Sequence, residues 1–366
     1  FFFADLMSSF AFAPGFMQRI AQPNNQTVLV VGCGGGFDFC HGLLLYPLLK
    51  ELGKKVVVGS YSFGDPELIQ GADPVWKPGP DPKTGYMRPA VVRATAACRG
   101  SSFYCPETSM CAYLDEKYPE DAPHAVYAYY ARAFAVPTLR ALYAELCAKH
   151  AVDLIVVIDG GSDSLMIGDE AGLGDPIEDC VSVTAARLLA EDPQCCVRDA
   201  VLISVGLGCD RFNDVSDAAS LRAIAEITQL GGFLGSISLE ATSPGLGFYK
   251  GFLDSVHKQQ AFRSVLSNSI VAAAEGAYGC STVPDCLRGR VRPGELYLWP
   301  LMAMLWGFDV RIVGQRCKMA QWIADCPTPE ACVQAICCAR ERLAIRPVEE
   351  LPTHAQFGPG CRMQCT

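Results

Sequence analysis

The sequence predicts an α/β fold with a mostly parallel, Rossmann-like sheet that carries helices on both faces. Short apolar runs rich in β-branched residues, such as TVLVVGC (27–33) and DLIVVIDG (153–160), are typical of buried parallel strands. Segments with helical spacing alternate with these runs, as in SDAASLRAIAEITQLGG (216–232). This alternation indicates β-α-β units, whose parallel strands lie beneath their connecting helices.

Further elements continue the alternation along the chain. KKVVVGS (54–60) is the second predicted strand, and the helical segment before it contains Pro47, which should kink that helix or shift its start. Other elements of the first two thirds are strands at AVYAYY (125–130) and AVLISVGLGC (200–209) and helices near Pro137 and at VSVTAARLLAED (181–192). The last third is predicted to be more helical, at 262–279, 296–308 and 329–344.

The chain is expected to form a single elaborated domain over residues 27–346, because no low-complexity linker divides it. A stretch rich in proline and glycine at 61–105 is predicted to be a long surface loop inserted in that domain. Residues 1–26 are predicted to be an N-terminal arm packed on the body or on a partner, and residues 347–366 a C-terminal tail. A homo-oligomer or a larger protein assembly is therefore left open.

Composition excludes several classes of partner and cofactor. The formal net charge of -9 argues against non-specific binding of nucleic acid, which needs a basic surface. No apolar stretch reaches the length of a membrane-spanning helix. The 19 cysteines lack any C-x-x-C pair, so no zinc site is predicted, and neither is a haem or a standard NAD site. Mostly buried, reduced cysteines indicate a reducing intracellular compartment, either the cytoplasm or the interior of an organelle.

The segment VVGCGGGFDF places Gly34, Gly35 and Gly36 between the first strand and a helix. In open parallel sheets, ligands bind at the carboxyl ends of strands, where backbone N–H groups can hold a phosphate or a nucleotide. The dinucleotide fingerprint is only partly met, because Phe37 stands where its third glycine belongs. Asp38 would repel a phosphate unless a metal ion or a hydroxyl group lies between them, and a purely structural turn is the alternative.

The segment DGGSDSLMIGDEAGLGDPIED (159–179) has seven carboxylates, five glycines and no basic residue. Mg²⁺ and Mn²⁺ prefer oxygen ligands, so we expect one of these ions to be held by carboxylates at two strand ends. The candidate metal ligands are Asp38, Asp159, Asp163 and Asp169, and further ligand-binding candidates are Gly160, Gly161 and Ser162. A carboxylate and hydroxyl site for a sugar or polyol is one alternative, and capping of the next helix is another.

The C-terminal third adds candidates farther along the chain. Ser269 and Glu275 lie on a predicted helix, where an acid among small apolar residues needs a partner or works at a site. Arg288 and Arg290 are candidate anion clamps, because guanidinium groups match phosphate oxygens. Solvated loop charges are the alternative for both arginines. His41, just after the glycines, is the histidine expected nearest the site.

Four segments together resemble the uncharacterised family known as domain of unknown function 1152, best known from archaeal genomes: VVGCGGGFD, DGGSDSLMIGDEAGLGDPIED, SNSIVAAAEGAYG with the following RGR, and ELYLWPLMAMLWGFD. The resemblance covers about residues 27–346 and supports the α/β prediction. It singles out Asp38, Gly160, Gly161, Asp163, Asp169, Glu170 and Glu275. The chain departs at VGLGCDRFND, where Arg211 and Phe212 interrupt an acidic turn typical of the family.

These observations predict a metal-assisted hydrolase or transferase that acts on a phosphorylated or nucleotide-like small molecule. Its catalytic candidates are Asp163, Glu170 and Glu275, with a carboxylate as general base. The alternative is a catalytically inactive family member that serves as a structural or accessory subunit of a larger complex. The interrupted acidic turn, the 61–105 segment and the apolar N-terminal arm motivate that alternative.

Overall fold

A computed structural model describes residues 13–197 and 199–351 and shows an α/β fold. The described chain contains a mixed nine-stranded sheet, a two-stranded hairpin and twelve α-helices. The strands are β1 (Thr27–Gly32), β2 (Lys55–Ser62), β3 (Asp73–Trp76), β4 (Gly79–Pro80), β5 (Met87–Arg88), β6 (Val91–Thr95), β7 (Ala125–Tyr130), β8 (Leu154–Gly160), β9 (Asp199–Val205), β10 (Phe233–Ser238) and β11 (Met304–Asp309).

The helices cover both faces of this sheet, as the alternating pattern predicts. In chain order they are α1 (Gly15–Ala21), α2 (Asp38–His41), α3 (Tyr46–Glu51), α4 (Pro106–Lys117), α5 (Val136–His150), α6 (Pro176–Ala190), α7 (Asp217–Gln229), α8 (Pro244–Gln259), α9 (Val265–Ala274), α10 (Val310–Arg316), α11 (Ala320–Ile323) and α12 (Pro329–Arg340). The segment around Pro47 is broken as expected, since short helical turns replace one continuous helix there.

The strand order in the large sheet is β10-β11-β9-β8-β1-β2-β7-β6-β3. The five central strands β9, β8, β1, β2 and β7 pair in parallel, and the strands beyond them pair antiparallel. All six residues of β1 are buried, which fits its position at the centre. The carboxyl ends of the parallel strands therefore meet at one edge of the sheet.

Two hydrophobic cores lie on opposite faces of the sheet. One core packs β-strand side chains against α5, α6, α7, α10, α11 and α12, and the other packs them against α1 to α4, α8 and α9. Because side chains alternate along a strand, Ile155 and Val157 of β8 enter the first core. Asp159 has the same parity, so its side chain lies on the α6 side of the sheet.

The structure differs from the prediction in two segments. Residues 61–105 are not only a loop, because β3 and β6 add two antiparallel strands to the sheet beyond β7. The apolar segment 296–308 is not helical as predicted. Its second half forms β11, which is inserted between β9 and β10 and is buried by both neighbours. Apolar character alone does not distinguish a central strand from a buried helix. Here, pairing with β9 and β10 makes the segment a strand.

Other features concern the ends and the cysteines. Helix α1 of the N-terminal region buries Phe16 and Ile20 against the body, while residues 1–12 and 352–366 lie outside the described chain. The 17 cysteines of the described chain are all free of disulfide bonds. Within the described residues, no helix is long and apolar enough to cross a membrane.

Candidate functional site

Five aspartates from separate elements meet at the carboxyl ends of the central strands. Asp38 begins α2 after β1, Asp159 lies at the end of β8, Asp179 lies in the first turn of α6, and Asp163 and Asp210 lie in 3₁₀ turns after β8 and β9. We call these residues the carboxylate cluster. Asp38 is half-buried, and the other four are buried.

The tightest part of the cluster is formed by Asp38, Asp159 and Asp179. One carboxylate oxygen from each lies within 4.8 Å of the other two. Asp159 accepts a hydrogen bond from the Ser164 hydroxyl through Oδ2, but its Oδ1 has no hydrogen-bond partner among the described residues. The Oδ1 atom of Asp179 is likewise buried and without a partner there. Oxygens that share one Mg²⁺ at about 2.1 Å lie within about 4.2 Å of each other, and the limit is about 5.2 Å at the longest Ca²⁺ distance, so the spacing is close to that around a shared cation.

Burial and mutual repulsion raise the pKa values in this region. The pKa of Asp38 rises to about 8, mainly by burial, with the charges of Asp163 and Glu178 adding to the effect. The pKa of Asp159 is raised well above its usual range by burial and by the neighbouring carboxylates, and the same holds for Asp179. These groups therefore hold protons readily when no cation is bound.

Asp163 and Asp210 organise the loop after β8. Asp163 Oδ2 accepts the backbone N–H of Asp175 at 3.0 Å, and the negative charge of Asp163 adds to burial in raising the pKa of Asp179. Asp210 Oδ2 accepts the backbone N–H of Ser162 at 2.6 Å. A Cβ at Gly161, whose φ is +143°, would lie 2.3 Å from that same Asp210 oxygen. Only glycine fits there.

The N–H groups of the glycine loop already have acceptors. Gly34 donates to Asp38 Oδ2 at 2.9 Å, and Gly35 donates to Glu178 Oε2 at 2.7 Å. Burial raises the pKa of Glu178 to about 7. Glu178 and Asp179 are consecutive residues in the first turn of α6, where the helix dipole favours negative charge. In this structure the loop amides therefore bind carboxylates of the protein.

The third loop glycine is held by neighbouring aromatic residues. The N–H of Gly36 donates to the Tyr61 carbonyl at 3.0 Å, and its own carbonyl accepts the Tyr104 hydroxyl at 2.9 Å. The ring of Phe63, which is 48% exposed, lies directly against Gly35 and Gly36. The solvent side of the loop is thus covered by one exposed aromatic ring.

His41 lies beside the cluster and is 1% exposed. Its Nε2 is 3.3 Å from the Ser267 hydroxyl, and its Nδ1 has no hydrogen-bond partner among the described residues. A Cβ at Gly160 would lie 3.1 Å from Nδ1 and 2.5 Å from Asp38 Oδ1, so the imidazole and the carboxylate border the same backbone position. Burial lowers the pKa of His41 to about 3, and the ring is therefore neutral at physiological pH.

Asp169 and Glu170 lie outside the cluster and bind the C-terminal segment. Asp169 pairs with Lys318 and, at 2.8 Å, with Arg346, which also lies 2.8 Å from Glu170. Burial acts to raise the pKa of Asp169, but the hydrogen bond from Lys318 and the charge of Arg346 outweigh it, so that pKa is lowered. The structure gives both acids a structural ion-pair network instead of contact with the other predicted ligands.

The remaining predicted residues of the C-terminal third, Ser269 and Glu275, bond to groups outside the cluster. Glu275 is exposed at the end of α9 and pairs with Lys250. The Ser269 hydroxyl donates to the Val265 carbonyl at 2.7 Å within the same helix.

The two predicted anion clamps lie on the surface. Arg288, whose side chain is 73% exposed, is 2.8 Å from Asp285 in the same short turn. Arg290 lies over the Phe262 ring at 5.1 Å and donates to the Arg263 carbonyl. Neither arginine contacts the carboxylate cluster.

Sequence reasoning missed Glu178, Asp179 and Asp210 as site residues. Glu178 and Asp179 lie within the acidic segment, for which capping of the next helix is one of the alternatives, and Asp210 belongs to the turn that Arg211 and Phe212 interrupt. The available signal was that Asp210 lies in the first turn after β9, which ends at Val205, because acids that follow neighbouring parallel strands meet at one edge of the sheet.

Comparison with known proteins assigns the chain to a family. A family described as "Protein of unknown function (DUF1152)" matches residues 29–340, from β1 to the end of α12. Comparisons with curated proteins and with solved structures found no match. Because the match spans most of the 366 residues, the chain belongs to the family of proteins of unknown function DUF1152.

Proposed function

We propose that Asp38, Asp159 and Asp179 bind one divalent cation, Mg²⁺ or Mn²⁺. The observation that carries this proposal is the pair of buried, unpartnered oxygens on Asp159 and Asp179, close to an oxygen of Asp38. Buried carboxylates are costly unless they are paired, protonated or bound to metal. Mg²⁺ and Mn²⁺ are hard ions that favour such oxygen ligands, and they commonly retain water and substrate oxygens in their shell.

The neutral His41 imidazole is a second observation that supports a metal site at this position. Its Nδ1 is buried and unpartnered, and it borders Gly160 together with Asp38. A water molecule bound to the cation would donate a hydrogen bond to this nitrogen, which has no partner among the described residues. The imidazole is thus a candidate acceptor next to the metal ligands.

The reaction proposed for this site is hydrolysis or group transfer at a phosphate of a phosphorylated or nucleotide-like small molecule. The cluster lies where ligands bind in open parallel sheets, and Asp38 is half-buried whereas the other members are buried. Since the amides of Gly34 and Gly35 are occupied by carboxylates, the phosphate would be held through the cation. In hydrolysis, a water oxygen bonds to phosphorus, the phosphorus bond to the leaving oxygen breaks, and Asp163 accepts the proton from the water.

Metal binding is tested by calorimetric titration of the EDTA-treated, dialysed protein with Mn²⁺. Asp159→Asn and Asp179→Asn should each weaken binding by at least about tenfold, because each removes one anionic ligand. Asp73→Asn is the matched control, since Asp73 is 73% exposed on edge strand β3. No Mn²⁺ binding by the wild type, or equal binding by all variants, would rule out the site.

Turnover is tested separately by phosphate release from a panel of nucleotides and sugar phosphates with Mn²⁺ or Mg²⁺. Activity that is lost in Asp163→Asn while Mn²⁺ binding persists would support the assignment of Asp163 as base. Metal binding without any turnover would favour the alternative, an inactive accessory subunit. Asp210 argues against that alternative, because the interrupted turn still supplies a carboxylate to the cluster.

A further inference from the structure

A cavity of about 470 Å³ lies at the amino-terminal ends of the central strands. Its lining includes Lys55 of β2, which is paired with Thr27, the first residue of β1. The carboxylate cluster instead begins beyond Gly32, the last residue of β1. At about 3.3 Å per residue, the two ends of β1 are roughly 17 Å apart. The cavity is therefore distinct from the proposed metal site.

Basic side chains dominate the cavity although the protein as a whole is acidic. Asp121 is the acidic residue of the lining, and it is already paired with Lys50. The formal net charge of the whole chain is -9, so a local excess of positive charge is not a consequence of composition. The basic residues of the lining are Lys50, Lys54, Lys55, Arg93, His124 and His150.

Among the cationic groups of the lining, Lys55 and Arg93 make the weakest contacts with the protein. Lys55 is exposed and makes no ion pair within the described chain. Arg93 makes one ion pair, at 3.4 Å, with the largely exposed Asp73, which is a weak contact. By contrast, the Lys54 ammonium donates to the Gln22 carbonyl at 2.8 Å. Two cations at the mouth are thus available to an external anion.

Positively charged side chains also surround His150, which lines the same cavity. Its Nε2 lies 2.7 Å from the hydroxyl of Tyr127, whose ring has the Lys149 ammonium 5.4 Å from its centre. Burial lowers the pKa of His150, and the charges of Lys55, Lys149 and Arg93 lower it further. The part of this shift that comes from the three neighbouring cations reflects a positive potential, which favours a negative charge.

We propose that this cavity binds a phosphate-bearing small molecule, with Lys55 and Arg93 contacting the phosphate oxygens. The guanidinium fork and the ammonium group both match phosphate, and a phosphate dianion gains more from two cations than a single carboxylate does. The volume is in the range of small-molecule sites, which is about 300–1,000 Å³. Buried Tyr46 and Tyr127 give the cavity apolar walls. This proposal does not depend on the metal site.

Calorimetric titration with inorganic pyrophosphate in the presence of EDTA tests this site, because no divalent cation is then available to the carboxylate cluster. Lys55→Gln and Arg93→Gln should each weaken binding by about tenfold, the usual effect of losing a charged hydrogen bond. Lys258→Gln is the matched control, since Lys258 is exposed on α8. Asp179→Asn should bind pyrophosphate as the wild type does, even if it fails to bind Mn²⁺.

Failure of the wild type to bind millimolar pyrophosphate would overturn the proposal, as would equal affinity in the Lys55 and Arg93 variants. Thermal melting of each variant confirms that it is folded before its affinity is compared. Adenosine monophosphate and glucose 6-phosphate then distinguish the kind of ligand. Tighter binding of the nucleotide would indicate that the tyrosine side chains contact its base. Equal affinities would indicate that only the phosphate is recognised.

Discussion

Asp159 and Asp179 lie side by side at the junction of β8 and α6, and each has one buried oxygen without a hydrogen-bond partner in the described chain. Their exposures are 1% and 3%, and an oxygen of Asp38 completes a set within 4.8 Å. Like charges held this close without a counter-ion destabilise the fold, whereas a bound cation would stabilise it.

Neutralising either aspartate should stabilise the metal-free protein at pH 8. Asp159→Asn and Asp179→Asn each remove a buried carboxyl group that, without a cation, must either carry a charge or hold a proton above its usual pKa, and we expect the melting temperature in EDTA to rise by about 2–4 °C. The same variants should lose the rise in melting temperature that Mn²⁺ gives the wild type. Lower stability of both variants in EDTA, compared with Asp73→Asn, would show that these carboxylates are structural.

The stability of the metal-free protein should fall as pH rises from about 4 to about 8. The folded pKa of Asp38 is raised to about 8, mainly by burial, so the folded chain holds this proton more tightly than the unfolded chain does. The resulting stabilisation is fully present below the unfolded pKa and is lost as pH passes through the folded pKa. Urea unfolding at several pH values measures it, and Asp38→Asn should have a shallower decline. Identical slopes in the wild type and Asp38→Asn would contradict the prediction.

Gly161→Ala should destabilise the protein by about 3 kcal/mol, because the new methyl group would meet the Asp210 carboxylate in a strained backbone conformation. The Cβ would lie 2.3 Å from Asp210 Oδ2 at a φ of +143°. Gly53→Ala is the control, since Gly53 also has a positive φ, +68°, but nothing lies within 4 Å of its Cβ. That variant should cost only about 1 kcal/mol in urea unfolding. Equal costs would mean that the Asp210 contact is unimportant.

Arg346→Ala should lower the free energy of unfolding by about 3 kcal/mol, because it leaves buried Glu170 without its cationic partner. Arg346 holds both Asp169 and Glu170 at 2.8 Å. Arg288→Ala, which alters a 73% exposed side chain paired only within its own turn, should change stability by less than about 0.5 kcal/mol. Both are measured by urea unfolding at pH 7. A small effect of Arg346→Ala would show that the C-terminal segment is dispensable for the acidic loop.

Local sequence pattern determined the central elements of the fold. The apolar, β-branched runs at β1, β2 and β8 and the capped helix after Ser216 form as predicted, since burial and capping act over a few neighbouring residues. The strand β11 was not predictable in this way. Its apolar segment suits a buried helix equally well, and only the space between β9 and β10 made it a strand.

For the candidate site, the sequence by itself determined that acids and glycines follow the central strands, as Asp38, Asp159 and Asp163 do. Only the tertiary structure determined which of these acids lie close together. Parity along β8 directs Asp159 toward α6, so its partner is Asp179, while Asp169 binds Arg346 instead. The physical reason is that charge interactions depend on distance in space, and helix packing and strand order set that distance independently of position in the sequence.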